Sequence, residues 1–311
     1  MTHLPQLDRV FLADGGLETD LIYNRGIDLP CFAAIVLMRS PEGRSALEAY
    51  YREYIALALG RGCGLVLETP TWRAGSDWAQ PLGLDLEELA ALNRAAVAML
   101  HELQAQVGEA LCEIVVSGCI GPRGDGYEAG RIMAPGEARD YHLWQARALQ
   151  AGGADMLSGI TMTNLPEAIG LTEAARMLAM PVAISFTVET DGRLPGGETL
   201  AEAVTGLDRA TGAYPAYFMV NCAHPAHYES ALEPEAAWTR RIGGMRANAS
   251  RCSHAELDAM TQLDRGDPQE LAQAYLALRE RMDWINVLGG CCGTDLVHVR
   301  AIAEACVPPL R

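Results

Sequence analysis

Eight times along this chain a short apolar run gives way to a longer stretch with helical spacing. The runs are residues 10–13, 64–67, 113–117, 154–160, 181–186, 216–220, 241–246 and 284–288. Each reads as a buried strand. The stretches that answer them are 40–59, 86–106, 135–151, 164–179, 199–210, one after His227, 268–281 and 295–306. Pro135 opens its helix where no backbone N–H is needed. Thr294 or Asp295 can cap the last helix.

Eight strand-helix units in 311 residues suit a (β/α)8 TIM barrel, an α/β fold. A doubly wound sheet is the competing architecture. It would concentrate polar and Gly-rich material in two or three loops, whereas here such material follows runs one, two, three, six, seven and eight. The barrel is therefore the expectation. Segments 74–81 and 123–131 are expected over its mouth. No linker or low-complexity tract divides the chain, so residues 1–311 are read as a single domain.

A net charge of −16 argues against a nucleic-acid or anionic-membrane partner and mildly favours a cationic small molecule. No apolar run reaches the roughly 18 residues of a membrane span, and the polar start carries no secretory core. Nine cysteines, an odd number in a large chain, do not form a disulfide framework, which points to a reducing cytoplasm. Cys31, Cys63, Cys112, Cys119, Cys252 and Cys306 are expected as buried thiols. The sequence leaves the oligomeric state unread.

The remaining three cysteines lie at strand ends. Cys291 and Cys292 follow Gly289-Gly290 after the eighth run, where two glycines are expected to stop the strand, and Cys222 ends the sixth. A disulfide between adjacent residues is strained. Three thiolates plus an open position make a catalytic zinc site, and sulfur donors favour zinc over calcium or magnesium. The spacing leaves other readings open: an incidental pair beside a buried thiol, a redox dithiol lacking the usual two-residue spacer, or a metal held by His224 and His227, which Pro225 separates. A trithiolate zinc is a weak Lewis acid but holds a substrate thiol as thiolate at neutral pH, which suits alkyl transfer to sulfur.

Gly289-Gly290-Cys291-Cys292-Gly293, Asn221-Cys222 and Asp14-Gly15-Gly16 together resemble the homocysteine S-methyltransferases. Leu67-Glu68-Thr69-Pro70-Thr71-Trp72, Gly121-Pro122 and Ile184-Ser185-Phe186-Thr187 are similar to further motifs of that family, so the resemblance spans nearly the whole chain. It implies a barrel whose Cys222, Cys291 and Cys292 hold Zn2+, which binds the homocysteine sulfur and passes it a methyl group, giving methionine. Asp14 and Gly15 would hold the amino-acid end of the substrate, with Glu68 and Thr71 beside them. An ammonium wants a carboxylate, and a carboxylate wants N–H donors at a glycine turn. Asn221 and Asn248 either orient ligands or shape turns.

Ile160 stands where that family carries an acid on the fourth strand. An apolar side chain cannot pair an ammonium, so Asp14 or Glu68 takes the role or the acceptor is another thiol. A non-catalytic zinc- or thiol-binding barrel is the alternative from a different class. The partners expected are a small thiol acceptor and a small onium methyl donor, since the chain ends without room for a cobalamin or folate module and lacks a dinucleotide fingerprint. Trp72, Trp78 and Tyr127 can cradle such a cation or pack as rim residues.

Overall fold

Phe11, Leu12 and Ala13 form the shortest strand of a closed parallel barrel, and all three are buried. The computed structural model describes residues 3–108 and 112–308. Its strands are β1 (Phe11–Ala13), β2 (Gly64–Glu68), β3 (Ile114–Ile120), β4 (Met156–Met162), β5 (Val182–Phe186), β6 (Tyr217–Asn221), β7 (Ile242–Ala247) and β8 (Val287–Gly290), in that order around the ring. The ring closes where Phe11 pairs with Val287. The fold is a (β/α)8 TIM barrel.

Burial on both faces explains why the strands read as unbroken apolar runs. Alternation still sorts their side chains. Leu12, Leu65 and Leu67 join the large core between sheet and helices. Phe11, Ala13, Val66 and Met156 join a smaller cluster filling the barrel.

Among the described residues, the helices are α1 (Leu17–Thr19, a single turn), α2 (Pro41–Arg61), α3 (Leu86–Val107), α4 (Pro135–Gly152), α5 (Leu165–Met177), α6 (Leu200–Thr211), α7 (His254–Asp258), α8 (Pro268–Arg281) and α9 (Leu296–Cys306). Their starts follow capping chemistry. The Ser40 side chain accepts the Gly43 N–H, Thr199 and Glu202 form a capping box, and Asp295 accepts from Val297 and His298. None of these helices is long and apolar enough to cross a membrane.

Several expectations need correction. No α-helix follows His227 before β7; short 3-10 turns over Pro225–His227, Glu229–Ala231 and Thr239–Arg241 take its place. Pro225 and Pro234 each remove an N–H, and an interior proline breaks a helix. The last strand begins three residues later than expected, and its glycines lie inside it. Gly289 pairs with Arg246 and Gly290 with Ala247, so β7 sets the boundary. Cys31 is exposed at a turn and Cys252 is half-buried, while Cys63, Cys112, Cys119 and Cys306 are buried as expected. Segment 123–131 reaches over the mouth through Asp125, Gly126 and Tyr127. Segment 74–81 instead packs outside the barrel, with Ala74 and Ala79 beside Leu82 and Leu89 and the Ala74 carbonyl accepting from Asn93.

Candidate metal centre

Cys222 leaves β6, and Cys291 and Cys292 leave β8, with β7 between them. The end of β7 anchors both turns: Cys222 N–H donates to the Arg246 carbonyl across 3.2 Å and Cys291 N–H to that of Ala247 across 2.8 Å. The three sulfur atoms consequently lie within 4.8 Å of one another, with Cys222 Sγ 3.9 Å from Cys292 Sγ. No other such cluster of metal-ligating side chains occurs among the described residues. His224 and His227 stand apart from it. His224 accepts the Ala226 N–H, and His227 meets the Arg251 carbonyl.

The sulfurs are held by specific neighbours. Asn221 directs its amide nitrogen at Cys291 Sγ, 3.7 Å away, and at Thr161 Oγ1, 2.8 Å away. Its oxygen accepts from Thr161 N–H and Ser185 Oγ. Cys222 adopts a left-handed φ of 51°, unusual for a residue with a side chain. Its carbonyl accepts from Asn248 at 3.1 Å and from His254 Nε2 at 2.5 Å. The other His254 nitrogen faces Glu189 at 2.7 Å. Tyr127 stacks on the His254 ring at 3.9 Å and donates its hydroxyl to Cys292 Sγ at 3.3 Å. His254 and Glu189 carried no signal in the sequence, because only the folded chain brings them to Cys222.

Three thiols this close share protons. Hydrogen bonds from Cys222 and Cys292, helped by the Arg246 charge, hold the Cys291 thiol well below its ordinary range. The same bonding, with burial, pushes Cys292 up, and the bond to Cys291 does the same to Cys222. Three converging sulfurs, one of them acidified by its neighbours, suit a cation.

The sulfurs open onto a cavity of about 330 Å³, within the usual size of small-molecule sites. Asp14, Gly15, Glu68, Ile160 and Arg246 are among its lining residues. Gly16 lets the first turn approach the second: a Cβ there would stand 2.4 Å from the Cys291 carbonyl oxygen. Arg246, only 7% exposed, pairs with Asp14 and lies 3.8 Å from Glu68. Tyr50 donates to Asp14 at 3.3 Å and Ser158 to Glu68 at 2.9 Å. Burial outweighs these partners, raising Asp14 and pushing Glu68 up to about 7. Thr71, expected beside them, is fully buried behind the wall, its hydroxyl bonded to the Cys119 carbonyl at 2.6 Å. Arg246 and Glu18, a half-buried lining residue, were not singled out in the sequence. Arg246 sits at a strand end beside Asn248, a weak signal. Glu18 had none.

The sequence model of the family described as "Homocysteine S-methyltransferase" matches residues 11–306. The chain belongs to the homocysteine S-methyltransferase family. As a homocysteine S-methyltransferase it transfers a methyl group to the thiol of that amino acid, and its substrates are small molecules. The fold agrees with that of a solved homocysteine methyltransferase, MmuM from Escherichia coli. Its metallated form is 23% identical with a TM-score of 0.74, each chain covered over 96% of its length. Its oxidized form is 21% identical with a TM-score of 0.74, each covered over 95%. No curated protein matches the sequence. The three-cysteine cluster suits this homocysteine S-methyltransferase to a metal ion.

Proposed function

We propose that Cys222, Cys291 and Cys292 hold a zinc ion, and that the methyl donor is a small onium compound. The observation that carries this is the convergence of three sulfurs, unaccompanied by carboxylate or imidazole, on a cavity open to a ligand. A tetrahedral zinc with bonds of about 2.3 Å separates its sulfurs by roughly 3.8 Å, close to the 3.9 Å between Cys222 and Cys292. The donor set fits the ion. When bound, zinc would keep the acceptor sulfur as thiolate at neutral pH.

The chain's own residues do the rest. Asn221, His254 and Asn248 hold the cysteine turns in place, as supporting bonds do at metal sites generally. The glycine turn at Gly15, with Asp14 and Glu68, forms the polar end of the cavity and positions the amino-acid part of the acceptor. Tyr127 and Trp72 wall the approach, and Asp125, Asp258 and Asp264 line it. An acidic mouth draws in a cation, and aromatic faces favour one. Trp78 is turned instead against Arg73, 4.7 Å from its guanidinium. In the transfer the acceptor sulfur forms a bond to the methyl carbon while the donor's bond to it breaks. The donor leaves with that electron pair and loses its positive charge.

A surplus of acids argues against a nucleic-acid partner. All nine cysteines are unpaired, which fits a reducing compartment, and the proposed location is the cytoplasm.

The test is metal analysis of the purified protein beside a screen of homocysteine against S-methylmethionine, S-adenosylmethionine and betaine, with methionine detected by mass spectrometry. Stoichiometric zinc and methionine from one of these donors are expected, and both should vanish in Cys292→Ala. Full turnover by a zinc-free Cys292→Ala protein would overturn the proposal.

A further inference from the structure

Asp14 and Glu68 are the carboxylates the sequence offers to a substrate ammonium, and both already share the charge of one guanidinium, although Glu68 Oε2 has no hydrogen-bond partner. Arg246 pairs with Asp14 and lies 3.8 Å from Glu68. Tyr50 and Ser158 occupy further lone pairs of the two. A guanidinium lodged between buried carboxylates already supplies the positive charge they attract.

Glu18 differs. It follows Gly16 on the single turn α1 and lines the cavity, half-buried. Among the described residues no other side chain bonds or pairs with its carboxylate, which meets only the N–H of its own backbone. The close approach of Gly16 to the Cys291 carbonyl brings this turn against the cysteines, and Glu18, Cys291 and Cys292 line the same cavity. Only two methylenes separate the sulfur of homocysteine from its α-carbon. With the sulfur at the cysteines, the ammonium must fall close by. Ile160 lines the same cavity and offers it no charge.

We propose that Glu18 is the carboxylate that receives the ammonium of the acceptor, supplying from the first β-α turn the acid that β4 lacks at Ile160. This rests on the reading that the acceptor sulfur sits at the three cysteines. Glu18 is thereby a specificity residue: it selects an amino-acid thiol over a thiol without an amine. The Asp14–Arg246–Glu68 group forms the polar floor beside it, against which the rest of the amino-acid part lies.

Calorimetric titration of the zinc-loaded protein with L-homocysteine and with 4-mercaptobutanoate, which lacks the amine, tests this. Glu18→Gln keeps size and hydrogen bonding while removing charge. It is expected to weaken homocysteine binding roughly tenfold, the scale of a lost charge-assisted bond, with little change for 4-mercaptobutanoate. Adding Ile160→Glu to that variant is expected to restore preference for homocysteine from another wall. Unchanged homocysteine affinity in Glu18→Gln, or an equal loss for both thiols, overturns the assignment while leaving the acceptor site intact. A wild-type protein that holds zinc yet binds neither thiol overturns the acceptor site itself, and the assignment with it.

Discussion

The side-chain amide of Asn221 lies 3.7 Å from Cys291 Sγ, tying the end of β6 to the turn after β8. The same side chain accepts the buried Thr161 N–H at 2.9 Å, so one residue connects three strand ends. Asn221→Ala should weaken zinc binding by about 10–100-fold, the usual effect of removing a supporting bond at a metal site. It should also cost about 1–3 kcal/mol of stability, because the Thr161 N–H is left buried and unpaired. Competition with a chromogenic chelator and urea unfolding measure the two. Wild-type zinc affinity would contradict the role.

Cys222 holds its left-handed φ of 51° through backbone bonds on both sides. Glycine adopts that region freely, whereas alanine pays a steric penalty. In metal-free protein, Cys222→Gly should therefore be more stable than Cys222→Ala by about 1 kcal/mol, although both lose a ligand. Denaturation midpoints compared side by side decide it. The opposite order would mean the turn relaxes when the thiol is removed.

Glu68 is pushed up to about 7 from an ordinary 4.5, chiefly by burial. Between those values the folded protein keeps a proton that the unfolded chain has released. The associated stability is full below about pH 4.5 and is lost as pH rises through 7, amounting to at most about 3 kcal/mol. Glu68→Gln cannot ionise, so its stability relative to wild type should improve by about 2 kcal/mol between pH 5 and pH 8. Guanidinium titrations across that range would show a flat difference if the burial of Glu68 were unimportant.

Thiol labelling should report metal loading. With zinc bound, the exposed Cys31 should react first. Removing the ion with a chelator should add Cys291 and Cys292, both half-buried, and more slowly Cys222, which is 3% exposed. Peptide mapping after maleimide treatment distinguishes them. Equal labelling of Cys291 and Cys292 with and without chelator would remove them from the metal site.

The barrel was legible because each strand, covered on both faces, leaves an unbroken apolar run, and each helix carries its own spacing and cap. Pro268–Arg281 appears as expected, and Ser40, Asn164 and Thr199 cap where the helical spacing begins. The segment after His227 resisted such reading. Tyr228 and Leu232 are buried there, but prolines on either side leave room only for short turns.

Local chemistry alone determined the order of strands and helices and marked three cysteines at strand ends, since periodicity, caps and residue type are properties of neighbours along the chain. Tertiary structure decided which carboxylates are available. Arg246 reaches Asp14 across 232 positions of sequence, Thr71 turns behind the wall to the Cys119 carbonyl, and Glu18 is left facing the cavity. Those outcomes depend on distances that exist only once β1 has closed against β8, and no pattern within a single segment encodes them.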